Sequence, residues 1–109
     1  MREARVFFKD REAGRLTQHD DGSFTFCYLD VWLADKDKPA ISLTLPKREQ
    51  PFHSGYLFPF FYNLLPEGSN KQLVCKLNRI ETADDFGLLM TSAKYDSIGA
   101  VRIIKIDNE

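Results

Sequence analysis

From Tyr56 to Gly68 the chain reads "YLFPFFYNLLPEG", and the hydrophobic period changes there in a way that decides the fold class. Phe58, Phe61 and Leu65 recur at helical spacing, with Phe60 and Leu64 beside them. Pro59 suits the first turn of a helix, where its missing N–H costs nothing. Pro66 and Gly68 then stop that helix. Everything upstream alternates with a period of two or breaks into turns, so strands come before helices.

Upstream, "ARVFF" is rich in β-formers, "DREAG" reads as a turn ending in Gly14, and "RLTQH" reads as the return strand. Asp21-Gly22 is a strong hairpin signal, because glycine accepts the positive φ of a tight primed turn. In "SFTFCYLDVWL" the alternation places Phe24, Phe26 and Tyr28 on one face of a strand, with Trp32 at its end. "ISLTL" is expected to be a further strand, Ile41, Leu43 and Leu45 facing one way, closed by Pro46. The polar, proline-punctuated "PKREQPFHSG" reads as a loop.

Downstream of the corner, Ser69 is expected to cap a second helix whose Leu73, Leu77 and Ile80 form one buried stripe. Thr82 with Asp85 resembles a capping box opening a third helix, "ADDFGLLMTSA", with Phe86 and Leu89 on its buried side. Gly87 weakens that helix by about 1 kcal/mol of propensity. "DSIGAVRIIKI" closes the chain as a turn and a last strand, with Val101, Ile103 and Lys105 in one register. The expected class is α+β: a small antiparallel β-sheet or partial barrel with a two-to-three-helix insert before the last strand, in a single domain spanning 1–109.

The composition, 43% hydrophobic and 28% charged over 109 residues, is that of a globular chain. A net charge of −1 argues against an electrostatic nucleic-acid binder. Lys71, Lys76 and Arg79 recur at helical spacing, a pattern that the solvated face of a helix also produces. Cys27 and Cys75 show no CxxC spacing and read as small buried hydrophobes, with no support for a disulfide. "MREARVFF" holds no segment of signal length, and no run approaches the ~20 apolar residues of a membrane span. A cytoplasmic, soluble chain is the expectation.

Signatures of chemistry are missing. No GxxxxGK[ST], GxGxxG or GxSxG occurs, and no cofactor or metal site is expected. His19 and His53 lie far apart in polar stretches and read as exposed loop residues. Asp84 and Asp85 open a helix, where they complement its dipole. Glu67, wedged between Pro66 and Gly68, reads either as a turn residue or cap, or as a contact. Trp32 reads as core or sheet edge, with a contact role as the alternative.

Several separated stretches taken together resemble the N-terminal subdomain of HipA-type serine/threonine kinases. They are "GRL" (14–16), "FTFCY" (24–28), "ISLTLP" (41–46), "PFFYNLLPEG" (59–68), "DDFGLL" (84–89) and "GAVRI" (99–103), and they cover nearly the whole chain. The departures are "SAKYDSIGAV", where Lys94 and Tyr95 stand in place of a second glycine, and the "SNKQ" after the corner. In that family the subdomain leads into a longer kinase body carrying the ATP loop, the catalytic aspartate and the metal ligands, none of which fits within 109 residues. The resemblance thus implies no enzyme. It implies the stand-alone form found in three-gene systems, HipS: an antitoxin that binds and inhibits a shortened HipA-like kinase, HipT, beside a helix-turn-helix DNA-binding protein, HipB. The expected kinase contact is Pro66, Glu67, Gly68, Ser69, Asn70 and Lys71, with Trp32. The alternatives are an N-terminal fragment of a single-chain kinase and a transcription-regulating DNA-associated module.

Overall fold

In the computed structural model, which describes residues 1–92 and 101–106, the chain opens with a hairpin. Strand β1 (Arg2–Phe8) turns through Lys9 and Asp10 into β2 (Arg11–Gln18). Lys9 and Asp10 have φ of 50° and 67°, so a two-residue turn with both positions left-handed joins the strands. The turn is therefore not "DREAG", and Gly14 lies inside β2. A Cβ at Gly14 would run into the Cys27 carbonyl oxygen and sit 2.9 Å from the edge of the Phe26 ring. Glycine is needed there for close approach rather than for a turn. The second expected corner is present: Gly22 has φ 89°, and Asp21 Oδ1 accepts the Ser23 N–H at 2.9 Å.

Strand β3 (Phe24–Tyr28) pairs antiparallel with β2 and buries Phe24, Phe26 and Tyr28. It ends where helix α1 (Asp30–Ala34) begins, so Trp32 belongs to a helix and not to the strand. "ISLTL" is likewise a turn and not a strand. A single bridge joins Ser42 to Leu45, Ile41 and Leu45 point inward, and Leu43 is fully exposed. The Tyr28 hydroxyl holds that turn by accepting the Ile41 N–H at 3.0 Å and donating to the Leu45 carbonyl. The presumed loop after Pro46 contains an edge strand, β4 (Phe52–Ser54), paired with β3. Phe52 is fixed there by the Phe26 ring on one side and by the Arg48 guanidinium 3.7 Å from its ring centre.

Three helices follow: α2 (Pro59–Tyr62), α3 (Gly68–Asn78) and α4 (Asp85–Ser92), before strand β5 (Val101–Lys105). The sheet is open, with order β4-β3-β2-β1-β5 and every pairing antiparallel. The α+β class and the three-helix insert before the last strand agree with the sequence reading, and the sheet is open rather than a partial barrel. Val101 and Ile103 are buried as expected. The end of the third expected helix at Ala93, together with Lys94, Tyr95 and Gly99, lies outside the described residues.

Helix α4 is capped by Asp84 and not by Thr82. Its Oδ1 accepts the Gly87 N–H at 3.1 Å, and its two oxygens take both Nη atoms of Arg2 at 2.7 and 3.0 Å. A Cβ on Gly87 would collide with that carboxylate, which explains a glycine inside a helix. Hydrogen bonding to Arg2, reinforced by the Gly87 amide, holds the Asp84 carboxyl below the ordinary aspartate value against a smaller opposing effect of burial. A carboxyl depressed in the folded state stabilises the fold above the ordinary carboxylate range, and that contribution is lost as pH falls through the folded value. Stability measured by urea melts is expected to fall between about pH 5 and pH 3, and the fall should be smaller in Asp84→Asn. Equal slopes in the two proteins would remove Asp84 from the account.

Candidate functional site

The rigidity of the 66–71 corner begins in α2. Phe61 is wholly buried, and its ring packs against Phe26, Phe58 and Phe60 with centroids 5.2–6.2 Å apart. After this single turn the backbone closes with Leu65 N–H donating to the Tyr62 carbonyl at 3.1 Å. Pro66 follows, and Glu67 is extended at φ −120°, ψ 159° in the position before α3. Gly68 has φ 58°, a left-handed conformation that glycine adopts at the least cost. The Lys71 N–H donates to the Glu67 carbonyl at 3.3 Å as the first bond of α3. Glu67 therefore occupies the cap position expected of Ser69, and its side chain makes no capping hydrogen bond.

Tyr62, Leu65, Pro66, Glu67, Gly68 and Lys71 line a cavity of about 300 Å³. Leu65 is its buried apolar part, and Tyr62 is half exposed. The Lys71 ammonium lies 3.8 Å from Asp85 Oδ1 at the start of α4, so this cation is already engaged. Ser69 and Asn70 are exposed on the first turn of α3 and do not line the cavity. Of the expected contact residues, the fold thus gathers Pro66, Glu67, Gly68 and Lys71 around one concavity.

Trp32 is elsewhere. Its ring is 3% exposed, packs edge-on against Phe8 at 5.9 Å, and donates through Nε1 to the Pro39 carbonyl at 2.9 Å. It forms the floor of a second, wider cavity of about 620 Å³ bordered by Asp10, Arg11, Val31, Asp35 and Lys38. A partner touching this region meets Val31 and the charged rim before the indole.

Helix α3 carries the feature that the sequence reading missed. Leu73 and Leu77, expected to be buried, are 54% and 72% exposed, while Cys75 and, in part, Val74 and Ile80 face the core. At about 100° per residue the two leucines lie on the side of the helix away from Cys75. The signal was present, since "LVCKL" is apolar on both sides, but a single stripe was expected from it. His19 and His53 also differ from expectation. The pairing of Thr25 with His53 brings both imidazoles to one hydroxyl, Thr25 Oγ1 lying 2.6 Å from His19 Nε2 and 3.1 Å from His53 Nδ1. Among the described residues no group of three or more metal-ligating side chains occurs, and none of the helices is long and apolar enough to cross a membrane.

The family model described as the HipA N-terminal domain matches residues 4–104. The chain belongs to the HipA N-terminal domain family. Its fold agrees with a solved structure titled the N-terminal domain of HipA toxin, with a TM-score of 0.72 and 27% identity, covering 100% of this chain and 96% of that one. Two curated relatives place the HipA N-terminal domain in different contexts. A putative kinase, Y4mE, of Sinorhizobium fredii (strain NGR234) is 34% identical over 109 residues, and this chain spans 26% of it. An uncharacterized protein of Haemophilus influenzae is 34% identical over 103 residues, which make up 94% of this chain and 92% of that protein.

Proposed function

We propose that this HipA N-terminal domain is a non-catalytic antitoxin of the HipS kind, which binds and inhibits a HipA-like serine/threonine kinase (HipT) in a three-component system that includes a HipB-like helix-turn-helix protein. The observation that carries the reading is the surface left over once the core is complete. Leu73 and Leu77 stand on α3 directly after a corner whose geometry is held by Phe61, Pro66 and Gly68. A preformed corner next to exposed leucines lowers the ordering cost of association and supplies apolar contact area. The Haemophilus relative supports a role for the domain in a small protein, because nearly its whole length matches. Inhibition in this reading comes from occupying the kinase surface, with no phosphoryl transfer by the domain itself.

The test is an equimolar mixture of this chain with a purified HipA-type kinase encoded beside it. The two should co-elute in size-exclusion chromatography, and kinase autophosphorylation should fall. A Leu73→Glu, Leu77→Glu double variant should keep the fold, since both side chains are largely exposed, and lose the complex. Separate elution of the wild-type proteins with unchanged kinase activity overturns the reading. A second reading, that the chain is part of a single-chain kinase, is favoured by the S. fredii relative, of which it spans about a quarter. A reading frame continuing into a kinase body would decide for it.

A further inference from the structure

The corner cavity has a charge that the fold does not use. Glu67 sits at the cap position of α3 without capping it, and its carboxylate makes no hydrogen bond or ion pair with any described residue. The cation beside it, Lys71, is turned toward Asp85 at 3.8 Å. With the Lys71 ammonium held by Asp85, the Glu67 carboxylate on the cavity wall is left without a cation of its own. Its other walls are the ring of Tyr62, 52% exposed, and the apolar side chain of Leu65, 8% exposed.

An aromatic face, an apolar floor and an unpaired carboxylate around about 300 Å³ match one kind of side chain. Its apolar stem would lie on Leu65 and Pro66, its planar cation would stack on Tyr62, and its N–H groups would donate to Glu67. We infer that the Tyr62–Glu67 cavity is the socket for an arginine side chain projecting from the partner kinase. This rests on the kinase-binding reading above and adds the chemistry of the contact. Arginine fits better than lysine because its guanidinium both stacks and donates two parallel hydrogen bonds to a carboxylate.

The experiment is calorimetric titration of this chain into the HipA-type kinase encoded beside it. Four variants enter the comparison, Glu67→Gln, Glu67→Lys, Tyr62→Ala and Tyr62→Phe, with Glu49→Lys as a charge-matched control on an exposed loop residue. Glu67→Gln should weaken binding about tenfold to a hundredfold, and Glu67→Lys more, because a charged hydrogen bond is lost and then replaced by repulsion. Tyr62→Ala should cost about twofold to fivefold, whereas Tyr62→Phe, which keeps the ring face, should bind as wild type. Circular dichroism spectra of all variants should superimpose on the wild type, since both side chains are exposed. If wild type and Glu49→Lys bind while both Glu67 variants stay within about twofold of them, the socket is wrong and the kinase-binding reading survives. Failure of the wild type itself to bind overturns both.

Discussion

Phe26→Ala is expected to destabilise the domain by about 3–5 kcal/mol, the range for removing a large aromatic side chain from a packed core. Phe26 is wholly buried on β3, with the Tyr28 ring 4.9 Å away, Phe61 of α2 at 5.6 Å and Phe52 of β4 at 6.5 Å, centroid to centroid. It therefore joins the sheet, its edge strand and the helix that anchors the corner. On the other side β2 approaches at Gly14, where the absence of a side chain makes room for the ring. Removing the ring leaves a gap that this backbone contact cannot fill by a side-chain shift. Since whole domains hold about 5–15 kcal/mol, the loss takes a large share of the total. A thermal midpoint lowered by about 12 °C or more in calorimetry is the expected reading. A loss below about 1.5 kcal/mol would mean that the three elements do not depend on this ring.

Tyr28→Phe is expected to cost about 2–4 kcal/mol although it removes a single oxygen atom, because two buried backbone groups lose their partner at once. The hydroxyl accepts from the Ile41 N–H at 3.0 Å and donates to the Leu45 carbonyl, and both of those residues are buried. Within the 41–45 turn the Leu45 N–H donates to the Ser42 carbonyl at 3.1 Å and the Thr44 N–H to Ser42 Oγ at 3.2 Å, so the hydroxyl's part is to tie the turn to β3. Hydrogen exchange should show the Ile41 amide losing protection in the variant, together with a lower urea midpoint. A change under about 0.5 kcal/mol with Ile41 still protected would count against the bridge.

These two residues also mark where local reading stops. The β2–β3 corner at Asp21-Gly22, the aromatic face of β3, the start of α2 at Pro59 and the break at Pro66–Gly68 were legible because each depends on a residue's own backbone preference or on its near neighbours. "ISLTL" was misread because alternating Ile41, Leu43 and Leu45 fits a strand and equally fits a turn with both ends tucked inward. The choice between them is made by the Tyr28 hydroxyl, which comes from another strand. Strand β4 carried no periodic signal in its three residues, and it exists because β3 has a free edge and Phe52 finds Phe26 and Arg48. Helix α1 was hidden behind β-forming residues, and its Trp32 is held by contacts from outside the helix, the Phe8 ring and the Pro39 carbonyl.

By itself the sequence determined the α+β class, the corner at Pro66-Glu67-Gly68 and the resemblance to the HipA N-terminal domain, since period, proline and glycine are properties of short segments. Only the tertiary structure decided which way these segments face. Helix α3 could have turned Leu73 and Leu77 inward or outward on the same pattern, and its packing through Cys75, with Lys71 reaching Asp85 on α4, settled it outward. The same packing put Glu67 beside Tyr62 in a cavity and left its carboxylate unpaired among the described residues. The physical reason is that a segment's conformation is governed by neighbours in sequence, whereas its orientation depends on contacts with segments distant in the chain.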